Sequence, residues 1–155
     1  MRTPTQRIAT RLATTASLAI CLLGIGETAA QARTQPLNLR VSARLVPASA
    51  ATLHYRGTFT GAPFGRGTVD VHAKMSGAGN ANVKFTLSTS HGTMHGVGRA
   101  TVTYRGRTAT VVGTVSLSRG TGAYRRFRAP SLRLSGSTVA ADQLSTMRVT
   151  GTYTS

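Results

Sequence analysis

The sequence contains very few acidic residues, one cysteine and no tryptophan. Its 155 residues include three Asp or Glu side chains against 19 Lys or Arg, which gives a formal net charge of +16 at pH 7. General acid–base catalysis usually depends on carboxylates or histidines, and the only acids in residues 33–155 are Asp70 and Asp142. The single cysteine, Cys21, has no partner for an intramolecular disulfide. Stability therefore has to come from packing and backbone hydrogen bonds, and an enzyme built on paired carboxylates is disfavoured.

The first 32 residues have the pattern of a secretory signal peptide. Three arginines precede an apolar stretch over residues 12–25, and the sequence AQA at 30–32 matches the A-x-A pattern of signal-peptidase sites. The apolar stretch is shorter than the roughly 20 residues of a membrane-spanning helix. We therefore expect a secreted or periplasmic protein whose mature chain has no transmembrane segment. A retained N-terminal anchor, and cleavage after Ala30, are the alternatives.

From residue 37 onward, apolar and polar residues alternate in short segments. In LNLRVSARL, residues 37–45, the apolar side chains take one face while Arg40, Ser42 and Arg44 take the other. A period of two is typical of a half-buried strand rather than a helix. About eight such segments follow one another. Short turns such as Arg105-Gly106 separate them, and short turns require antiparallel neighbours.

Glycines inside the strand segments favour closure of the sheet, because they permit the bends of a strongly coiled strand. We predict an all-β chain folded as an antiparallel β-barrel of about eight strands, with a β-sandwich as the alternative. Residues 33–52 would form an N-terminal strand and linker, residues 53–155 the barrel core, and residues 33–155 together one domain. An outer-membrane barrel would also alternate, but the chain has no tryptophan and no aromatic girdles.

No combination of residues predicts a catalytic residue, a metal site or a cofactor. His91 and His95 have a metal-ligand spacing for a helix, but in an extended strand they would lie about 13 Å apart. Asp70 is expected on a solvated strand face beside His72, and Asp142 in a turn. The nucleophile motif G-x-S-x-G is absent. A Ser-His-Asp arrangement stays open, since residue counts do not exclude it.

The segment SRGTGAYRRFRAPS, residues 118–131, combines a glycine turn with aromatic and basic residues. It does not match the dinucleotide-binding pattern G-x-G-x-x-G, because Arg125 stands where the third glycine is needed and no βαβ unit surrounds it. We expect the turn to lead into a short helical or irregular piece that Pro130 stops. Tyr124 and Phe127, three residues apart, would cap one end of the barrel.

The same segment also predicts an anion-binding edge. Its arginines would stay in water while the aromatic residues face the barrel, and arginines of a neighbouring turn would reinforce them. The candidate anion-binding residues are Arg105, Arg107, Arg119, Arg125, Arg126 and Arg128. A cap that binds nothing is the competing interpretation of this segment.

Two runs of the chain resemble a known family. GTVSLSRGTGAYRRFRAPSLRLSG (113–136) resembles the strand–GTG–aromatic–strand unit of the allene oxide cyclase-like barrels, and YRGTFTGAPFGRGTVDV (55–71) fits their earlier strands. That group resembles the dirigent proteins, and small secreted bacterial proteins of no known role show similar units. The resemblance extends over roughly residues 53–154. It implies an eight-stranded antiparallel barrel, often oligomeric in the plant relatives, which guide reactive intermediates within a cavity. It assigns no catalytic residue to any position.

Composition and pattern together favour a secreted, non-enzymatic basic β-barrel protein. Its charge attracts polyanions, so the leading hypothesis is that it binds polyanions or an acidic envelope surface through an arginine-rich surface. The first alternative is a carrier of a small hydrophobic ligand, or a cavity enzyme of cyclase or isomerase type. The second alternative is a structural protein of the cell surface. A homo-oligomer is compatible with each of these functions.

Overall fold

The structure, a computed structural model, describes residues 33–46, 52–77, 79–118, 120–139 and 143–155. The strands are β1 (Gln35–Val46), β2 (Thr52–Ala62), β3 (Gly65–Met75), β4 (Asn80–Thr89), β5 (Gly92–Arg105), β6 (Thr108–Ser118), β7 (Ala129–Val139) and β8 (Leu144–Tyr153). A short 3₁₀ helix covers Gly122–Tyr124, between β6 and β7. The predicted signal peptide, most of the predicted linker and Asp142 lie outside the described residues.

All eight strands belong to one closed barrel. Each strand pairs antiparallel with the next along the chain, and β8 returns to pair with β1, where Val41 lies opposite Met147. The predicted all-β fold and the eight-stranded antiparallel barrel are therefore confirmed. The alternative of a β-sandwich is wrong, because β1 and β8 close the sheet on itself instead of leaving two packed sheets.

The alternating sequence pattern places one face of each strand inside the barrel and the other in solvent. In β1, Leu37, Leu39, Val41 and Ala43 are buried, while the residues between them are exposed. The buried apolar residues form one core cluster to which every strand contributes. Since successive side chains of a strand point to opposite faces, this pattern fixes which residues face the interior.

The strands are staggered around the barrel. A line of paired residues leaves β5 at Thr103, passes once through each of the other seven strands and returns to β5 at Thr93. A sheet closed with such a stagger has tilted strands. An eight-stranded barrel of this kind has an interior that side chains nearly fill or that holds one small ligand.

The barrel has two ends of different structure. One end carries the β2–β3 turn, the β4–β5 turn and the segment with the 3₁₀ helix, and is termed the capped end. The other carries the β5–β6 turn at Gly106 and the beginning of β8, and is termed the hairpin end. β6 is 11 residues long, so the two ends are about 30–35 Å apart along a strand.

Pro130 has a different place from the one predicted. The 3₁₀ helix ends at Tyr124, and Pro130 is the second residue of β7 instead of the residue that stops the helical piece. The register between β6 and β7 shifts between Val115 and Leu117, the part of β6 that faces the beginning of β7. A strand tolerates proline at such an irregularity because the proline lacks the N–H that a regular ladder needs.

Candidate functional site

The interior of the barrel contains a cavity of about 330 Å³. Side chains from all eight strands line it, and most of them are apolar. Those around its middle include Val41, Val71, Phe85, Val111, Leu134 and Met147. The volume lies at the lower end of the range of about 300–1,000 Å³ that is usual for ligand pockets. The cavity therefore has the size and lining for a small apolar molecule.

Polar side chains line the cavity towards the hairpin end. Together they are termed the polar mouth, and they are Tyr55, Tyr104, Arg107, Thr138, Gln143 and Ser145. Tyr104 is 67% exposed, and Arg107 and Gln143 are also exposed. The cavity therefore reaches solvent at this end.

Tyr55 and Ser145 are the less exposed hydroxyl groups of the polar mouth. Ser145 is 2% exposed, and its Oγ lies 2.6 Å from Oγ1 of Thr138. Burial raises the pKa of Tyr55 above its ordinary value of 10.0, and the neighbouring Ser145 hydroxyl opposes this rise. Tyr55 is therefore neutral at pH 7. Such hydroxyls both donate and accept hydrogen bonds, so they suit the polar group of a ligand.

Aromatic rings fill the capped end. Phe127 is 3% exposed and stacks on Tyr153 with a centroid distance of 4.8 Å, and its ring centroid lies 4.9 Å from that of Phe64. Tyr124 packs edge-on against Phe64, and its hydroxyl lies 3.0 Å from Oγ1 of Thr89. The structure thus brings the two predicted capping residues, Tyr124 and Phe127, together with Phe64 and Tyr153. These four residues are termed the aromatic cap.

The arginines predicted to form one anion-binding edge do not lie together. Arg125, Arg126 and Arg128 are exposed beside the aromatic cap. Arg105 and Arg107 flank the β5–β6 turn at the hairpin end, one strand length away. The separation follows from the antiparallel order, because successive turns of an up-and-down barrel fall at alternate ends. The expectation that the neighbouring turn would reinforce the loop arginines is therefore corrected.

Arg128 differs from the other two loop arginines. Its Nη1 donates to the carbonyl oxygen of Phe127 at 2.8 Å and to that of Arg125 at 3.4 Å, so its side chain helps to hold the loop that carries the cap. Arg125 and Arg126 point their charges to solvent. Arg119, the remaining candidate of this group, lies outside the described residues.

The pairing register brings four other arginines together on the outer wall. Arg44 lies directly opposite Arg56 of β2, and Arg40 directly opposite Arg148 of β8. All four are exposed, and they are termed the β1 arginine band. Like charges directly opposite each other destabilise a sheet. The alternation places Arg40 and Arg44 outside, but it does not show which residues lie opposite them.

Two histidines and one aspartate form a second polar cluster on the outer wall. His54 lies opposite His72, and Nε2 of each contacts the carboxylate of Asp70, which also accepts a hydrogen bond from Nε of Arg56. Burial acts to raise the pKa of Asp70, but hydrogen bonds from His54 and Arg56 and the nearby histidine charges outweigh it and lower the pKa below 3.8. Asp70 and His72 therefore do more than share a solvated face, as the sequence predicted.

The grouping of His54 with Asp70 and His72 was missed because it depends on the register between β2 and β3. His54 lies 16 residues before Asp70, and no short motif joins them. The two histidines whose spacing is visible in the sequence are not part of the cluster. His91 lies in the β4–β5 turn, and Nδ1 of His95 lies 3.2 Å from Oγ1 of Thr86.

No protein-family model matches the chain, and no curated protein and no solved structure matches it either. Among the residues that the structure describes, no helix has the length and apolar character needed to cross a membrane.

Proposed function

We propose that the protein binds a small, mainly apolar molecule inside the barrel. The observation that carries this proposal is the cavity of about 330 Å³, which is lined by apolar side chains and reaches solvent at the hairpin end. Burial of apolar surface in such a cavity is favourable by about 25 cal/mol per Å². The resemblance to the allene oxide cyclase-like barrels adds support, since their plant relatives use the barrel interior to hold small molecules.

The polar mouth suggests which end of the ligand faces outward. Tyr55, Ser145 and Thr138 offer neutral hydroxyl groups, and Arg107 offers a positive charge next to them. Guanidinium groups bind carboxylates through charge-assisted hydrogen bonds. The ligand class that fits both regions is an amphipathic acid or alcohol, with its apolar body in the cavity and its polar group at the mouth.

The lining favours binding without a reaction. General acid–base catalysis is carried out mostly by histidine and carboxylate side chains, and the cavity-lining residues within the described part of the chain include neither. The polar lining groups are hydroxyls, one amide and one guanidinium. A carrier or binding protein therefore fits this interior better than a cyclase or isomerase.

Isothermal titration calorimetry with sodium decanoate and decylamine tests this function. The two probes share an alkyl chain and carry opposite charges. We expect saturable binding of about one decanoate per chain, weaker binding of decylamine, and an affinity for decanoate about tenfold lower in Arg107→Gln, which corresponds to about 1.4 kcal/mol.

The matched control is Arg105→Gln, which removes the same charge from the same hairpin at a residue that is not part of the cavity lining. It should bind decanoate as the wild type does. Absence of saturable binding for both probes would contradict the proposed function, and equal losses in Arg105→Gln and Arg107→Gln would contradict the role given to the polar mouth.

The β1 arginine band supports a second function, the binding of polyanions on the outer wall. Asp70 is the only carboxylate side chain among the described residues, and Arg40–Arg148 and Arg44–Arg56 are directly opposed pairs of like charge. A bound polyanion would relieve the repulsion within both pairs. Binding of this kind weakens as salt rises, because it releases condensed counterions.

Heparin chromatography separates this function from a simple effect of net charge. We compare a variant with Arg40, Arg44 and Arg148 changed to Gln against one with Arg125, Arg126 and Arg128 changed to Gln, since each loses three charges. We expect retention of the wild type at low salt, and elution of the band variant at lower salt than the loop variant. Equal elution of the two variants, or no retention of the wild type, would contradict a role for the band.

We also propose that the protein works outside the cytoplasm, on the basis of the signal-peptide pattern in residues 1–32. Amino-terminal sequencing of the protein from periplasmic and culture-medium fractions tests this. A first residue of 33 or 31 is expected. Recovery of the chain with its first 32 residues intact, from the cytoplasm alone, would contradict it.

A further inference from the structure

The cluster on the outer wall of β2 and β3 has the donor atoms of a metal site. Nε2 of His54 lies 3.0 Å from both carboxylate oxygens of Asp70, and Nε2 of His72 lies 2.9 Å from Oδ1 of the same carboxylate. One donor atom from each of the three residues lies within 4.8 Å of the others. The two imidazole rings are stacked, with centroids 4.3 Å apart. Both rings therefore direct the same nitrogen towards the same carboxylate.

Strand pairing holds these residues in place. His54 and His72 are a directly opposed cross-strand pair, and Asp70 lies on the same outer face, opposite Arg56. Nε of Arg56 donates to Oδ2 of Asp70 at 2.9 Å, which orients the carboxylate with Oδ1 towards the histidines. Hydrogen bonds of this kind to a ligating carboxylate increase metal affinity in known sites.

The separations between donor atoms are close to those around a bound ion. With bonds of about 2.0–2.1 Å in a tetrahedral site, adjacent donors are about 3.3 Å apart. The observed separations of 2.9 and 3.0 Å are only a few tenths of an ångström shorter, and small side-chain rotations provide that difference. We propose that His54, Asp70 and His72 bind one divalent transition-metal ion, with water completing its coordination.

The same contacts describe a metal-free form in which each Nε2–H donates a hydrogen bond to Asp70. Metal binding requires each neutral ring to carry its proton on Nδ1, so that the Nε2 lone pair faces the ion. The proton moves within the ring system and no group has to be oxidised or reduced. The metal-free cluster thus already places the ligating atoms around one point.

The donor set indicates which ions fit. Imidazole nitrogen suits Zn²⁺ and Cu²⁺, whereas Ca²⁺ takes six to eight oxygen ligands and Mg²⁺ prefers oxygen donors as well. The Irving–Williams order makes Cu²⁺ the tighter of the two. The positive charges of Arg56 and of Lys84, which lies opposite His72 on β4, oppose a bound cation. We therefore place the site among weak, exchangeable transition-metal sites.

Calorimetric titration of CuCl₂ and of ZnCl₂ into the full-length protein tests the proposal. We expect one ion per chain, with Cu²⁺ bound more tightly than Zn²⁺, and at least a tenfold loss of affinity in His54→Ala and in His72→Ala. The matched controls are His91→Ala and His95→Ala, which each remove one imidazole elsewhere on the molecule and should leave the affinity unchanged. Circular dichroism confirms that each variant is folded.

Two further measurements keep the test decisive if a histidine variant does not fold. Asp70→Asn keeps the side-chain shape and should also weaken binding at least tenfold. Electron paramagnetic resonance of the wild-type Cu²⁺ complex should show coupling to two imidazole nitrogens. Absence of saturable binding, unchanged affinity in folded His54→Ala and His72→Ala, equal losses in the control variants, or coupling to fewer than two nitrogens would overturn the proposal.

Discussion

Phe85 on β4 lies directly opposite Gly96 on β5, and its ring covers the inner face of that glycine. A β-carbon at position 96 would overlap three carbon atoms of the ring, so a side chain there requires Phe85 to move. Phe85 is also part of the cavity lining. The pair shows how the barrel wall accommodates a large aromatic ring and still leaves space in its interior.

We expect Gly96→Ala to lower the free energy of unfolding by about 1–3 kcal/mol, the usual cost of overpacking a core. In the Phe85→Leu background the overlap is smaller, so the same change should cost less there, and a double-mutant cycle should show the coupling. Urea unfolding of the four proteins measures it. An equal cost in both backgrounds would show that the Phe85 ring is not the obstacle at position 96.

The aromatic cap should contribute strongly to stability. Phe127 is buried between the rings of Tyr153 and Phe64, so Phe127→Ala should lower the free energy of unfolding by about 3–5 kcal/mol. Tyr124→Phe keeps the ring and removes only the contact with Thr89, which should cost about 0.5–1.5 kcal/mol. Thermal unfolding compares the two variants. If Phe127→Ala cost no more than Tyr124→Phe, the stacking contacts would not hold the capped end.

Tyr55 should ionise at higher pH than an ordinary tyrosine, because burial disfavours the phenolate. Its pKa is raised in the folded state, so the folded chain retains the proton over a pH range in which the unfolded chain loses it. This contribution to stability is complete below pH 10 and is lost as the pH rises through the folded-state pKa.

Ultraviolet difference spectra on a pH titration measure this ionisation, with Tyr55→Phe to assign the signal among the four tyrosines. Ser145→Ala removes the hydroxyl that opposes the shift, so the pKa of Tyr55 should rise further in this variant. A fall in the pKa of Tyr55 in Ser145→Ala would contradict the arrangement described for the polar mouth.

Much of the fold was predictable because it depends on local pattern. The alternation over residues 37–45 corresponds to β1 (Gln35–Val46) with Leu37, Leu39, Val41 and Ala43 buried. Short turns required antiparallel neighbours, and the glycines inside the strands indicated a strongly coiled sheet. Pro130 was misplaced because the irregularity between β6 and β7, which accommodates it, is a property of two paired strands and not of the local sequence.

The sites were less predictable because they depend on register and on the path of the strands. Arg105 and Arg125 are near in sequence, but β6 carries the chain from one end of the barrel to the other between them. Arg44 and Arg56, or His54 and His72, meet only because β2 is paired with its neighbours in one specific register. The size of the cavity is a property of all eight strands together, and alternation alone does not distinguish a filled interior from an open one.

Ala73 offers a way to fill the cavity from its wall. It lines the cavity and lies between Leu53 and Val83 in the sheet, so Ala73→Phe should project a ring into the space and lower the affinity for decanoate at least tenfold. The matched control is Lys74→Ala, the next residue along β3, whose side chain is exposed. This control should bind decanoate as the wild type does, and unchanged affinity in Ala73→Phe would place the probe outside the barrel.

The most direct test of ligand binding in the interior is an isotope-filtered nuclear Overhauser measurement on the wild-type protein with decanoate. We expect contacts from the alkyl chain to the methyl groups of Val71 and Met147, which line the middle of the cavity. Contacts confined to the outer wall, for example to the exposed side chain of Val97, would contradict the account.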